Sequence, residues 1–478
     1  MTREALWTGL ALVGALNARI GGGLPRHVGG VSIDTRTLAR DDLFVAIKGD
    51  ARDGHDFVRA AFEKGAAAAV VDEAHAGELS GAGPLYVVKD VQTALERLGL
   101  TSRARVRGYV AAITGSVGKT STKDMAREVL SQFGLAHASA ASYNNQWGVP
   151  LSLARMPEAT NYGLFEIGMN HAGEIAALVR QVQPHVALVT KVAAAHLEHF
   201  DSVEAIADAK AEIFSGLLEN GVAIVNRDDA TFERLFDAAQ AAGAAHVLTF
   251  GAHPEAQARL LSYETQNGMG VADAEILGMR VGFRLGAPGA HLAQNALAVL
   301  LMANVFGLDV DRAAAALELF AGTKGRGRRE NLALGDGEIA LIDESYNANP
   351  VSMRAAFALL ADARPGPGGR RIAALGDMLE LGPRSGELHA ELAEDLVRAK
   401  VDLLFAAGPQ MARAYYAAPD AMRGAHRATS AELEEPFLAG LRAGDVVMIK
   451  GSNASRMSLL AQSLRDKSKS AADAGEGR

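Results

Sequence analysis

The stretch Val110–Lys123, VAAITGSVGKTSTK, contains the residue types that bind polyphosphate. A short apolar run is followed by glycines and then by Lys119 and Thr120, which open a segment compatible with a helix. Backbone N–H groups in such a turn, the positive end of the following helix and one lysine together form a cradle for phosphates. The lysine can reach the β and γ phosphates, and the threonine hydroxyl can coordinate Mg²⁺. The stretch therefore predicts that the chain binds ATP or GTP.

This stretch departs from the usual phosphate-binding pattern at one position. The pattern G-x-x-x-x-G-K-[ST] requires a glycine five residues before Gly118, where this chain has Ile113. The alternative interpretation is a glycine-rich turn that binds no nucleotide, but packing alone gives no reason for the sequence GKT after an apolar run. The predicted nucleotide-binding residues of the loop are Thr114, Gly115, Ser116, Val117, Gly118, Lys119, Thr120 and Ser121.

Polar residues follow two apolar runs beyond the loop. Glu166 follows one run, His196 and His199 follow the next, and a helical segment with Lys210 comes after them. Singly, such residues are more often satisfied polar groups than ligands. Together with a nucleotide loop they offer the oxygen and imidazole ligands that a magnesium site needs. The two histidines could also form a zinc pair, but the sequence provides no third ligand of the usual kind.

Two further segments contain polar residues that could contact a ligand. Asn144 and Asn145 belong to a loop, where their amides could bind an oligosaccharide or a nucleotide substrate, or could only satisfy a turn. His291 and Asn295 are four residues apart in a predicted helix and could contact the same ligand.

Length and composition limit the kinds of protein that this chain can be. At 478 residues, it is long enough for about three domains of ~100–200 residues each. A hydrophobic content of 49% and a charged content of 22% are typical of a folded globular protein. A net charge of −8 disfavours nucleic-acid and anionic membrane partners, because their phosphates would repel it. The chain has no cysteine, which fits a reducing compartment, so we expect a cytoplasmic protein without membrane insertion.

The first eighteen residues, MTREALWTGLALVGALNA, have the length of a signal peptide, since Arg3 precedes an apolar run. Glu4 lies in the charged part, and Asn17 interrupts the end of the run. Because the pattern also suits an amphipathic helix, we expect a first helix here rather than a secretion signal.

Alternating strand-like and helix-like segments predict three α/β domains and a tail. Residues 1–105 form a small N-terminal α/β domain. Residues 106–322 predict a doubly wound, mostly parallel sheet of the phosphate-loop type, in which ligands bind at the C-terminal ends of strands. Residues 323–465 alternate again and predict a C-terminal Rossmann-like α/β domain. Residues 466–478 have the composition of a disordered tail.

Individual elements follow from the same apolar runs. The predicted helices include residues 57–64 and 291–307, and residues 320–338, which are glycine-rich and basic, predict a linker. The predicted strands are Gly30–Ile33, Leu43–Ile47, Ala68–Val71, Val110–Ile113, Tyr162–Ile167, Val186–Thr190 and Val222–Asn226.

In this order, the motifs of the chain resemble the Mur ligases, the ATP-dependent amide-forming enzymes of peptidoglycan synthesis. The resemblance covers the whole chain except the tail, and TGSVGKTSTK is similar to that family's nucleotide loop, which also lacks the first glycine. The other motifs that support the resemblance are DTRTLARDDLFVAIKGDARDGHDF, YNNQWGVP, EIGMN, DESYNANP, LGDMLELG and KGSNASRM.

The resemblance implies an enzyme that joins D-alanyl-D-alanine to UDP-N-acetylmuramoyl-tripeptide through an acyl phosphate. The ligase that adds diaminopimelate or lysine shares the N-terminal pattern, but its acceptor motif of the DNPR kind is absent. ATP and two Mg²⁺ ions are the expected cofactors, and a monomer is the expected state. The alternatives are a Mur-type ligase for another amino acid, a phosphate-loop NTPase that acts as a motor or switch, and a non-catalytic scaffold.

The resemblance also implies roles for individual residues of the central domain. Thr120, Glu166 and His196 match positions that hold Mg²⁺, and Lys119 would neutralise charge on the transferred phosphoryl group. Lys210 matches a lysine that is carbamylated in this family, which would make its side chain an anion at the metal site.

Further matches concern the nucleotide. Asn295 and Arg326 match positions that contact it. The family's aspartate for the ribose hydroxyls is replaced by Glu344, with Asp343 beside it, and the sequence leaves open which of the two reaches the ribose.

The last matches concern the other substrates. In the uridine-binding domain, Asp34, Thr35 and Arg36 match the family's Asp-Ser-Arg, in which threonine keeps the hydroxyl. Asn144 and Asn145 are also expected to bind substrate. For the dipeptide, the candidates at predicted strand ends are Asn347, Asn349 and Asp377.

Overall fold

The computed structural model describes residues 4–140, 142–194, 198, 200–335 and 337–476. Within these ranges the chain forms α/β units around three large sheets, which occupy residues 19–88, 109–285 and 328–450. The mixed α/β architecture with mostly parallel sheets confirms the predicted fold class, while the domain boundaries at 105/106 and 322/323 stay predictions. Across the described part of the chain, no helix combines the length and apolar character needed to cross a bilayer.

The N-terminal unit contains a sheet of strand order β2-β7-β6-β5-β4, parallel except for β2. The predicted first helix is confirmed as α1, in which Leu12 and Leu16 are buried against the sheet. The elements of this unit are β1 (Trp7–Thr8), α1 (Gly9–Leu16), β2 (Arg19–Gly21), β3 (His27–Val28), β4 (Gly30–Ser32), β5 (Asp42–Val45), α2 (Val58–Glu63), β6 (Ala68–Asp72), β7 (Leu85–Val88) and α3 (Val91–Arg105).

The first part of the central unit alternates strands and helices, as predicted. Its elements are β8 (Tyr109–Thr114), α4 (Lys119–Leu130), β9 (Ala136–Ala138), α5 (Gly148–Ala154), β10 (Tyr162–Glu166), α6 (Glu174–Val182), β11 (Val186–Val189), α7 (Val203–Ala211), β12 (Val222–Asn226), α8 (Phe232–Ala241) and β13 (His246–Gly251). The second part is β14 (Ala258–Gln266), β15 (Met269–Ile276), β16 (Met279–Leu285), α9 (Ala290–Val305) and α10 (Val310–Ala316).

The central sheet has the order β16-β15-β14-β13-β12-β11-β8-β10-β9. It is parallel from β9 to β14, and β14 to β16 add an antiparallel extension that the sequence pattern did not predict. Strand β8 lies in the interior, so its C-terminal end opens at the centre of the sheet. Helix α9 is buried almost throughout because it packs between the sheet and α4, which explains the uniformly apolar segment 296–303.

The C-terminal unit has the sheet order β17-β18-β22-β19-β20-β21, in which only β17 is antiparallel to its neighbour. Its elements are β17 (Arg328–Leu334), β18 (Gly337–Glu344), α11 (Pro350–Asp362), β19 (Arg371–Gly376), α12 (Ser385–Arg398), β20 (Leu403–Ala407), α13 (Met411–Ala417), β21 (Arg423–Arg427), α14 (Ser430–Gly440), β22 (Val446–Lys450) and α15 (Met457–Glu476).

Two expectations about this unit differ from the structure. The predicted linker 320–338 is wrong in its second half, because Leu332 and Leu334 pack on the core and 328–334 form the edge strand β17. The segment 466–478, expected to be disordered, continues helix α15 to Glu476. Arg465 anchors this helix by pairing with Glu330 at 2.6 Å.

Candidate active site

The stretch proposed as a phosphate loop has the predicted local structure, an apolar strand followed by a tight turn and a helix. Strand β8 ends at Thr114, and α4 begins at Lys119. Between them, Gly115 and Gly118 have φ angles of +148° and +87°. A β-carbon at Gly115 would lie 2.0 Å from Thr190 Oγ1, and one at Gly118 would lie 2.9 Å from Asn295 Nδ2. The loop therefore needs glycine at both positions, and this leaves its backbone close to the space above the sheet.

The other loop residues are held from beneath. The Thr114 hydroxyl donates to the carbonyl of Ile167 at 2.8 Å, and that of Ser116 donates to Ala193 O at 3.0 Å. Thr190 Oγ1 donates to the carbonyl of Val117 at 2.6 Å. The turn is thus fixed by the ends of neighbouring strands and not by its own sequence alone.

Lys119 is folded back over the loop. Its ammonium group donates to the carbonyl of Gly115 at 2.6 Å. Burial lowers the pKa of Lys119, and Arg326 adds to this effect, while the carboxylate of Glu166 opposes it. An oxyanion near this lysine would stabilise its charge, which is the environment that a bound phosphate provides.

Glu166 lies at the end of β10 and is held by two neighbours. Its Oε2 accepts a hydrogen bond from Thr120 Oγ1 at 2.7 Å, and its Oε1 accepts one from Asn144 Nδ2 at 2.8 Å. Ser142 Oγ lies 3.4 Å from Thr120 Oγ1. These carboxylate and hydroxyl oxygens fit the hard-oxygen preference of Mg²⁺. The remaining predicted ligand, His196, lies outside the described residues, as does His199 of the alternative zinc pair.

Lys210, on helix α7, borders the same cavity as Lys119 and Glu166. Its residue is only 2% exposed. Burial lowers the pKa of Lys210 well below its ordinary value, and repulsion from Lys119 adds to this effect. The lowered pKa favours the neutral amine, which is the form that can react with carbon dioxide.

Two adjoining cavities contain most of the predicted residues. One of about 180 Å³ and one of about 610 Å³ share Ser116, Arg326, Asn347 and Asn349 in their walls. The smaller cavity is also lined by Gly118, Ser121, His291, Asn295, Glu344 and Lys450. The larger is also lined by Lys119, Asn144, Asn145, Glu166 and Lys210.

The structure separates the neighbouring acids Asp343 and Glu344. Asp343 is 1% exposed, accepts a hydrogen bond from the Ser345 hydroxyl at 2.6 Å and pairs with Arg465 at the same distance. Glu344 borders the smaller cavity and pairs with Lys450. Of the two, only Glu344 is available to a ligand in that cavity.

Arg326 connects the central and C-terminal units. Its guanidinium lies 4.1 Å from the ring centre of Tyr346, and Nη2 donates to Ser142 Oγ at 3.4 Å. It follows Gly325 and precedes Gly327, whose φ angles are +74° and +84°. The glycines allow the sharp turns that bring this cation to both cavities.

Several predicted substrate residues have structural partners. Asn145 Oδ1 accepts the N–H of Gly148 at the start of α5. Asn349 caps α11, and Asp377 accepts the N–H of Met411 at 2.6 Å where α13 begins. Hydrogen bonds to backbone N–H groups at helix starts therefore account for these three polar side chains without a ligand, whereas Asn144 contacts Glu166.

The triplet at 34–36 lies away from these cavities. Arg36 Nη2 pairs with Asp34 Oδ2 at 2.6 Å, while the carbonyl of Thr35 accepts a hydrogen bond from Lys64 at 2.9 Å. The hydrogen bond from Arg36 lowers the pKa of Asp34. The Arg36 side chain is 86% exposed, and none of the described residues lining the two cavities belongs to this triplet.

Sequence reasoning missed one buried cation at the smaller cavity, Lys450. Its signal was an ionisable residue that ends the apolar run VVMIK before a Gly-Ser turn. Lys450 opens the motif KGSNASRM, but the sequence alone does not distinguish it from a surface lysine, because its burial depends on the neighbouring strands.

Comparison with known families gives a match to each part of the chain. The family description "Mur ligase family, catalytic domain" matches residues 27–103. "Mur ligase middle domain" matches residues 113–303, and "Mur ligase, glutamate ligase domain" matches residues 327–453.

Individual relatives match over most of their length. The UDP-N-acetylmuramoyl-tripeptide--D-alanyl-D-alanine ligase of Escherichia coli (strain K12) is 36% identical over 80% of this chain and 81% of that protein. The enzyme of the same name from Rickettsia prowazekii is 32% identical over 88% of this chain and 92% of that protein. A crystal structure of MurF from Acinetobacter baumannii is 30% identical, with a TM-score of 0.82 over 98% of this chain and 100% of that chain. Sequence and fold thus match in the same order along nearly the entire length, and the chain belongs to the Mur ligase family.

Proposed function

We propose that this chain is the ligase that joins D-alanyl-D-alanine to UDP-N-acetylmuramoyl-tripeptide at the expense of ATP. The observation that best supports the chemistry is the meeting of the two cavities at Arg326, next to the phosphate loop and Lys119. A nucleotide in one cavity would present its terminal phosphate to a second substrate in the other. The choice of substrates is supported by the shared name of relatives at 32–36% identity.

The reaction proceeds in two steps. The terminal carboxylate of the tripeptide attacks the γ-phosphorus of ATP. The bond between this phosphorus and the β-γ bridging oxygen breaks, so that ADP departs and an acyl phosphate is formed. The amine of the dipeptide then attacks the acyl carbon, loses a proton and expels inorganic phosphate. Carboxylate and polyphosphate repel each other, so the first step needs fixed positive charge, which Lys119 and Arg326 supply.

Thr120 and Glu166 would hold Mg²⁺ together with His196. Bound there, the ion would screen the charge of the phosphate oxygens and orient the terminal phosphate. Asn144 fixes one carboxylate oxygen of Glu166, so the direction of this ligand is set before nucleotide arrives.

Lys210 is proposed to act as a carbamate. Its lowered pKa favours the neutral amine that carbon dioxide requires, and the reaction, which releases a proton, replaces this amine with an anion. An anion beside Lys119 would stabilise the ammonium of that lysine. The modified side chain would add oxygen donors to the magnesium site.

The remaining assignments complete the proposal. Asn295 and Glu344 contact the nucleoside, Asp34, Thr35 and Arg36 bind the uridine diphosphate end, and the enzyme is a cytoplasmic monomer. Asp34 holds Nε and Nη2 of the exposed Arg36 guanidinium, so a phosphate from solvent would bind at its remaining N–H groups. Because an acyl phosphate hydrolyses in water, the glycine-rich segment 321–327 would let the C-terminal unit close over it.

Phosphate release from ATP tests this function. We expect release only when UDP-N-acetylmuramoyl-tripeptide and D-alanyl-D-alanine are both present, with the pentapeptide product confirmed by mass spectrometry. Equal release with ATP alone would contradict a ligase. Replacement of the dipeptide by diaminopimelate or lysine should give no product, and product formation with either one would assign another acceptor.

A further inference from the structure

Lys450 is a buried cation that the two-step reaction above does not use. It is the last residue of β22, and it is 2% exposed. Its ammonium lies 3.2 Å from Glu344 Oε2 and donates to the carbonyl of Asn347 at 2.9 Å. Burial of an ammonium is unfavourable unless the group is paired, and Glu344 and the Asn347 carbonyl provide this pairing.

The sheet places this pair where ligands bind. Glu344 and Lys450 are register partners at the C-terminal ends of the parallel strands β18 and β22. In open α/β sheets, this edge is the usual location of a binding crevice. Both side chains line the cavity of about 180 Å³, together with Asn295 of the central unit.

The carboxylate of Glu344 is restricted on two sides. Lys450 pairs with Oε2. Gly327 lies next to Oε1, because a β-carbon added to this glycine would be only 3.2 Å from that oxygen. The described residues supply no hydrogen-bond donor to Oε1, so this oxygen retains its capacity to accept. A hydroxyl group of a ligand in the cavity is a suitable donor.

Lys450 also fixes the backbone beyond Glu344. Its bond to the carbonyl of Asn347 connects the end of β18 to the loop before α11, and Asn347 lines both cavities. The ammonium of Lys450 thus fixes the orientation of the Glu344 side chain. It also fixes the loop at Asn347, which lies between the smaller and the larger cavity.

We propose that Lys450 is a positioning residue that orients Glu344 toward the ribose hydroxyls of the nucleotide and thereby determines the preference for ribonucleotides. The inference rests on the proposed ATP-dependent function. Without the ammonium, the Glu344 carboxylate would lose its fixed orientation, and the hydroxyl contact would weaken.

Nucleotide binding measured by calorimetry tests this role without requiring ligation. Wild-type protein should bind ADP more tightly than 2′,3′-dideoxy-ADP. In Lys450→Met, affinity for ADP should fall roughly 10-fold to 100-fold, the range for one charge-assisted hydrogen bond, while affinity for the dideoxy compound changes little. Lys450→Arg should restore part of the preference, and Lys400→Met, which alters an exposed lysine of the same unit, should keep all of it.

The possible outcomes are distinguishable. Equal weakening of both nucleotides in a folded Lys450→Met protein would indicate a merely structural lysine and overturn the proposal, as would a wild-type protein without preference. If Lys450→Met does not fold, Glu344→Ala decides, because removal of the carboxylate should lose the same preference while Lys450 is intact. A wild-type protein that prefers ADP but makes no pentapeptide would contradict the ligase function alone.

Discussion

Lys119 and Lys210 line one cavity, and burial lowers the pKa of both side chains. Lys119 has the Glu166 carboxylate nearby, which opposes the effect of burial. For Lys210, burial and the charge of Lys119 act in the same direction. The nearby carboxylate therefore favours the charged form of Lys119. Among the described residues, Lys210 has no such effect in its favour, and its neutral form is the one proposed to be carbamylated.

Replacing Lys210 with alanine should lower ligation by roughly 100-fold or more while leaving ADP affinity largely intact, because Lys210 lines the larger cavity and not the smaller one proposed for the nucleotide. Removal of carbon dioxide should lower wild-type activity, and bicarbonate should restore it. Isotope-labelled bicarbonate should give a carbamate signal by NMR in wild-type protein and none in the variant. Full activity of Lys210→Ala would remove the carbamate from the mechanism.

Residue identity alone could not decide between Asp343 and Glu344. Successive residues of a strand point to opposite faces, but which face is buried depends on the neighbouring strands and on α15. Arg465, which pairs with Asp343, is more than a hundred residues away along the chain. Thr120 and Glu166 were predicted from the sequence, and their contact required only that two adjacent parallel strands end together.

At the scale of elements, two helices begin with nearly the same glycine geometry. Gly118 precedes α4 with φ +87°, and Gly173 precedes α6 with φ +89°. A β-carbon at Gly118 would meet the Asn295 side chain, whereas none of the described atoms lies within 4 Å of one at Gly173. Substitutions at these two glycines therefore distinguish the effect of backbone strain alone from the effect of displacing the Asn295 side chain.

Both Gly118→Ala and Gly173→Ala should lower the melting temperature by a few degrees, since a left-handed residue with a β-carbon costs about 1–2 kcal/mol. Only Gly118→Ala should also lose nucleotide affinity, because Asn295 must move. Thermal unfolding and ADP titration on both variants check this. Similar loss of ADP affinity in Gly173→Ala would show that strain, and not the Asn295 contact, is responsible.

A cluster of histidines and acids ties together the N-terminal unit. The rings of His55 and His75 stack at 4.0 Å, His55 Nδ1 contacts Asp53 at 2.6 Å, and His55 Nε2 accepts the N–H of Asp72. Candidate ligand atoms of Asp53, His55 and His75 lie within 4.8 Å of one another. Since both ring nitrogens of His55 are already hydrogen-bonded, the arrangement is a clamp between a loop and the end of β6.

This clamp should make stability depend on pH. The hydrogen bond to Asp72 raises the pKa of His75, so its contribution is present below about pH 6.5 and is lost as pH rises through the folded-state pKa. Burial raises the pKa of Asp72, but bonds from His75 outweigh this and lower it, so its contribution is lost at acid pH. Thermal unfolding should therefore show a larger loss for His75→Ala at pH 5.5 than at pH 8.5. The reverse order would contradict the pairing.

Across the whole molecule, the order of the units could be predicted because hydrophobic alternation and turn residues are local signals. The contacts between units could not, because they join residues far apart in sequence. Trp7 Nε1 donates to the carbonyl of Ala154 at 3.2 Å, and Ser102 Oγ donates to Met156 O at 3.1 Å. The antiparallel strands β14 to β16 were not predicted either. Strand β14 alternates only weakly between buried and exposed positions, whereas β15 and β16 alternate regularly, a local signal that sequence reasoning overlooked.

One hydrogen bond connects the phosphate-loop helix to the start of the C-terminal unit. Thr323 Oγ1 donates to Asp124 Oδ2 at 2.8 Å, and Asp124 also pairs with Lys123 at 3.3 Å. Thr323 lies between Gly322 and the Arg326 turn, inside the glycine-rich segment. The bond therefore ties the glycine-rich segment to α4 near the turn that brings Arg326 to the cavities.

Thr323→Val should loosen this connection, because valine keeps the shape of threonine but removes the donor. We expect the KM for ATP to rise several-fold, since one lost hydrogen bond corresponds to about 1 kcal/mol, with little change in melting temperature. X-ray scattering should show a larger radius of gyration without nucleotide. Thr101→Val removes a comparable bond within α3, to the carbonyl of Arg97 at 2.8 Å, and should change neither quantity. An unchanged KM in Thr323→Val would mean that the contact of Arg326 with Ser142 and Tyr346 is sufficient to position the C-terminal unit.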